Sequence, residues 1–91
     1  MRSTIKKITE SFPNYKYDME TTVWDWVIYF WNDKNNKFFF ELPNGQPGME
    51  KSRNIKVSPK VKIFVNEEWK TFENENVDNL IKKTKEIIIN G

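Results

Sequence analysis

The chain has 91 residues, enough for one domain with a single small core but not for a separate cofactor domain. Histidine, cysteine and alanine are all absent. Without the first two there is no Cys/His zinc site, no thiol nucleophile and no imidazole base, which removes most enzyme chemistry. The net charge of +2, from 15 basic and 13 acidic residues, is too balanced for a polybasic binder.

A mean hydropathy of -0.78 would suit a disordered chain, but aromatic residues make up 15 % of the sequence. Each can bury about 150–250 Å², so a few large side chains can supply a core, and disorder is not expected. Absence of cysteine fits a reducing compartment. Met1 to Tyr17 contains no apolar core of signal-peptide length, and the longest apolar run, Val27 to Trp31, is far short of a membrane span. The expected location is the cytoplasm (a host's cytoplasm, if the gene belongs to a phage), with no membrane partner.

In chain order, Ser3 is placed to cap a short helix in which Ile5, Ile8 and Phe12 share one face. Pro13 ends it. Residues 14–20 read as a polar connector. Thr21 to Trp31 is rich in β-branched and aromatic residues and predicts a strand. On that strand Trp24, Trp26, Ile28 and Phe30 project to one face, and Val23, Asp25, Val27, Tyr29 and Trp31 to the other. Residues 32–36 have turn chemistry, and Lys37 to Leu42 returns as a second strand, with Phe38, Phe40 and Leu42 opposite Phe39.

A long loop follows, with Pro43, Gly45, Pro47 and Gly48 in six positions. Ile55 and Val57 suggest a short strand. Val61, Ile63 and Val65 alternate with Lys60, Lys62 and Phe64, and Trp69 to Phe72 returns after a turn, giving a second hairpin. Asn76 then caps a final helix whose stripe is Val77, Leu80, Ile81, Thr84, Ile87 and Ile88. The whole predicts a single α+β domain over residues 1–91. It is a four- to five-stranded antiparallel sheet built from two hairpins, flanked by an N-terminal and a C-terminal helix. One sheet face then lacks a helix, yet the first hairpin carries aromatics on both faces. Aromatic surface is therefore expected to stay exposed.

The chemical motifs are weak. Asp18, Glu20 and Asp25 have no spacing that specifies a catalytic cleft. Counting from Asp33, the calcium-loop glycine and glutamate positions hold Phe38 and Asn44, so a turn is the better reading. Gly45-Gln46-Pro47-Gly48 has the bare spacing of an RNA-clamping loop but joins strands rather than helices. No catalytic, cofactor-binding or metal-binding residue is expected, and no cofactor.

Surplus aromatics fit a protein interface. The expectation is a small non-catalytic module that occupies a surface of a larger protein partner, such as a phage or mobile-element inhibitor of a host enzyme or defence complex. Trp24, Tyr29, Trp31 and Phe39 would anchor it, and Lys51 and Arg53 would steer it. The alternative is single-stranded nucleic-acid binding through the sheet aromatics and Lys56, Lys60 and Lys62. Homodimerisation through the same surface is a third outcome.

Overall fold

The computed structural model describes residues 2–22, 25–34, 36–43 and 58–90. Helix α1 (Arg2–Ser11) leads into strands β1 (Lys16–Thr21), β2 (Asp25–Trp31), β3 (Lys37–Pro43), β4 (Lys60–Val65) and β5 (Glu68–Glu73), and helix α2 (Val77–Asn90) follows. The strands form one sheet in the order β1-β2-β3-β4-β5, antiparallel throughout. This is the expected α+β architecture, realised as a five-strand meander.

Two expectations are corrected. The polar stretch 14–20 is not a connector, because most of it lies in β1, paired with β2 from Lys16↔Trp31 to Thr21↔Trp26. The long strand from Thr21 is in fact divided. Asp25 N–H donates to Thr22 Oγ1 at 2.9 Å, Thr22 Oγ1 donates to Asp25 Oδ1 at 2.5 Å, and Thr22 N–H donates to the Asp25 carbonyl at 2.8 Å. This knot reverses the chain and lets Thr21 finish one strand while Asp25 begins the next. A smaller difference concerns Ser3, which lies inside α1 rather than ahead of it. The suggested strand at Ile55 and Val57 lies outside the described residues.

The turns follow the residues that build them. Asn32 Oδ1 accepts from the N–H groups of Lys34 and Asn36 at 3.1 and 3.0 Å, closing the β2–β3 hairpin. Asn66 and Glu67 both have positive φ, 52° and 65°, and join β4 to β5 in two residues. Asn76 Oδ1 accepts from Asp78 N–H at 2.9 Å and caps α2, as its position predicts.

Both helices lie on one face of the sheet. The inner rows of β2, β3 and β4 supply Ile28, Phe30, Phe38, Phe40, Leu42, Val61 and Ile63, all buried. The helical stripes meet them with Ile8 and Phe12 from α1 and Leu80 and Ile81 from α2. Phe12 is the central ring, 4.7 Å from Phe38 and 5.3 Å from Phe30, while Phe30 and Phe38 stack at 4.9 Å. Thr84, fully buried on α2, donates to the Leu80 carbonyl at 2.7 Å. That satisfies its hydroxyl within the helix. Lys7 of α1 and Asp78 of α2 pair at 3.0 Å across the helix layer. Among the described residues, no helix is long and apolar enough to cross a membrane.

Candidate functional site: the open face of the sheet

With both helices on the inner face, no described helix covers the outer one. Antiparallel pairing places directly opposed residues on the same face, so the registers define three rows across the outer side. The first row is Lys16, Trp31, Lys37, Phe64 and Trp69. The middle row is Asp18, Tyr29, Phe39, Lys62 and Thr71. The third is Glu20, Val27, Glu41, Lys60 and Glu73.

Aromatic rings fill the first two rows. Tyr29 and Phe39 are 5.4 Å apart, Phe39 and Trp69 are 5.4 Å apart, and Phe64 and Trp69 are 5.2 Å apart. Tyr29, Trp31 and Trp69 are 37 %, 40 % and 49 % exposed. Phe39 and Phe64 are half-buried. This is a continuous apolar band on the face without a helix, which a strand propensity for aromatics alone does not require.

The charges are sorted by row. The first row has two lysines among its three aromatics, and the third has three carboxylates and one lysine. Several of these charges are engaged within the chain. Lys62 Nζ lies 3.8 Å from Glu41, Lys60 Nζ lies 3.6 Å from Glu73, and Lys16 Nζ lies 3.6 Å from Asp33. Lys37 Nζ sits 4.6 Å above the Phe64 ring and Lys62 Nζ 5.7 Å above the Phe39 ring. Desolvation holds the Tyr29 phenol above its ordinary value of 10. The negative charge of Glu20, a hydrogen bond with it, and the charges of Glu41 and Asp25 push the same way.

Of the residues the sequence singled out, Tyr29, Trp31, Phe39, Lys60 and Lys62 come together on this face. Trp24, Lys51, Arg53 and Lys56 lie outside the described residues, as does the glycine–proline loop. Trp26 belongs to the other face and packs against the core. The structure adds Phe64 and Trp69, which become neighbours through the β4–β5 register, and Lys16 and Lys37, which flank Trp31.

A concavity of about 240 Å³ opens between the hairpin ends and α2, floored by Ile63, Val65, Ile87 and Ile88. Among the described residues, no three acidic, histidine or cysteine side chains cluster as a metal ion would need. No protein-family model matches the chain, and no curated protein or solved structure matches it.

Proposed function

We propose that this chain is a non-catalytic protein-binding module that docks the open face of its sheet against a surface of a larger protein partner. The observation that carries this reading is the run of touching rings Tyr29, Phe39, Trp69 and Phe64, with exposed Trp31 on the same face of β2 as Tyr29, on the side away from both helices. Rigid aromatics on strands make good anchors, because they bring large contact area and lose little conformational freedom on binding. The charged rim around them would set orientation and specificity more than affinity.

A second reading, single-stranded nucleic acid, draws on Lys16 and Lys37 flanking Trp31, since stacking platforms beside cations are what such strands require. The charge pairing weighs against it. Lys60 and Lys62 are engaged by Glu73 and Glu41, and Glu20 stands at the end of the same face. A phosphate backbone would have to displace those carboxylates, whereas a protein surface of mixed charge would not.

The test is capture from a native lysate by the wild-type chain and by Trp31→Ala and Phe39→Ala, with and without nuclease, with folding checked by circular dichroism. A protein retained by the wild type, lost by both folded variants and indifferent to nuclease is the expected result. Equal capture by the variants would remove this face as the site. Capture that collapses with nuclease, joined to oligothymidylate affinity that falls steeply with salt, would replace the reading with the nucleic-acid one.

A further inference from the structure

The first and third rows of the open face are complementary to each other in charge. We infer that the open face of one copy seats on the open face of a second copy, about a two-fold axis that runs across the strands through Phe39. The inference rests on the reading of this face as a docking surface and names its occupant in the free protein.

The charges select the axis. A two-fold in the interface plane and perpendicular to the strands lays each strand over its own copy with the row order reversed. The first row then faces the third. Lys16 opposes Glu20 of the second copy, Lys37 opposes Glu41, Trp31 opposes Val27, and Phe64 opposes Lys60. In the middle row each residue meets its own counterpart, so Tyr29 and Phe39 pair with themselves while Asp18 and Lys62 each face a like charge. A two-fold parallel to the strands instead lays the first row on itself and the third on itself. That sets Lys37 against Lys37, Glu41 against Glu41 and Glu20 against Glu73, each a repulsion. The first axis makes four Lys–Glu contacts against two like-charge ones, and the second makes four like-charge contacts and no Lys–Glu contact, so the balance of charge favours the first.

The geometry suits aligned sheet packing. Stacked sheets lie about 10 Å apart with strands rotated by about 30°. Rotation separates the corners most and the centre least. Because β3 is the middle strand, Lys37 and Glu41 form the pair that survives it. Five strands spaced about 4.8 Å, with three rows spaced about 6.6 Å, give a face near 500 Å² per copy with margins. About 1,000 Å² in total is the lower end of specific interfaces, so association is expected to be reversible and concentration-dependent. In the dimer the aromatic anchors are occluded, and a larger partner would compete with the second copy for them.

The experiment is sedimentation equilibrium between about 1 and 500 µM on the wild type, on Lys37→Glu, on Glu41→Lys, and on an equimolar mixture of the two variants. Each variant alone sets like charges across the axis and is expected to be monomeric where the wild type is dimeric. The mixture restores both Lys–Glu contacts as a heterodimer and is expected to sediment as a dimer. A wild type monomeric throughout, variants that dimerise as it does, or a mixture that stays monomeric would each overturn the inference. Should either variant fail to fold, zero-length carbodiimide cross-linking of the wild type reads the same contact. Within one chain Lys37 and Glu41 stand about 13 Å apart along β3, so a Lys37–Glu41 cross-link can form only between copies. Loss of partner capture on Trp31→Ala tests the docking reading separately, and a monomeric wild type leaves that result intact.

Discussion

Phe39 on β3 and Trp69 on β5 meet at 5.4 Å although β4 lies between their strands. Two side chains can span that distance only by leaning over the intervening strand, so Phe39 and Trp69 tilt toward each other across β4. Trp69 also touches Phe64 at 5.2 Å. It therefore ties three strands together on the face the helices leave open. Aromatic pairs contribute about 0.5–1.5 kcal/mol each beyond burial, so Trp69→Ala should lower stability by about 1–2 kcal/mol. Urea titration should show the midpoint falling with an unchanged slope. A midpoint equal to the wild type's would mean the rings do not support one another.

Tyr29 gives the same face a titration signature. Its phenol is held above the ordinary value of 10 by desolvation and by the neighbouring carboxylates, Glu20 foremost. Between the unfolded value and the raised folded one, the folded state holds the proton more tightly than the unfolded chain does. The associated stability is complete below about pH 10 and is lost as pH rises through the folded value. Denaturation midpoints followed from pH 9 upward, a range set by the phenol's value of about 10, should fall less steeply for Tyr29→Phe than for the wild type. Parallel profiles would show that the phenol does not couple to folding.

The sheet and both helices are legible from periodicity, because their apolar stripes are long and regular. Strand β1 is not, and the reason is physical. Lys16, Asp18 and Glu20 alternate with Tyr17, Met19 and Thr21, which is a strand pattern. Half its residues are charged, however, because an edge strand with one free side needs charges against unwanted pairing. Tyr17 is 56 % exposed, so even the inner side of this strand is only partly covered. Average polarity thus hides an element whose alternation reveals it. For the open face, Tyr29, Trp31 and Phe39 could be read from residue parity alone. Phe64 and Trp69 join them only through the pairing of β3 with β4 and β4 with β5, which no local pattern encodes.

Asn76 tests how far the second helix depends on its entry. Its side-chain oxygen accepts from Asp78 N–H at 2.9 Å, and Asp78 in turn reaches Lys7 of α1 at 3.0 Å. One residue therefore fixes both the first turn of α2 and the carboxylate that bridges the helices. Asn76→Ala should cost about 1 kcal/mol, while Asn76→Asp or Asn76→Ser should retain most of the cap. Thermal melts of the three variants order these effects, and an alanine variant as stable as the serine one would count against the cap.

The two-residue turn between β4 and β5 makes the opposite kind of prediction, a gain. Asn66 and Glu67 both occupy the left-handed region, as a turn matched to the twist of a tight hairpin requires. Asparagine tolerates that conformation through its short polar side chain, but glutamate has no such compensation and its Cβ crowds the backbone. Glycine removes the crowding, and Asn-Gly is the favoured pair at these positions. Glycine also gains freedom in the unfolded chain, which offsets part of the benefit. The net expectation for Glu67→Gly is a stabilisation of about 0.5–1 kcal/mol, seen as a higher urea midpoint with the same slope. Glu67 is exposed, so no buried contact is lost with it. Because Val65 and Glu68 close the turn and Phe64 opposes Trp69 one pair further on, a tighter hairpin should also hold the outer aromatics in register. A destabilised Glu67→Gly variant would show that the side chain at 67 supports the turn in a way its left-handed backbone does not predict.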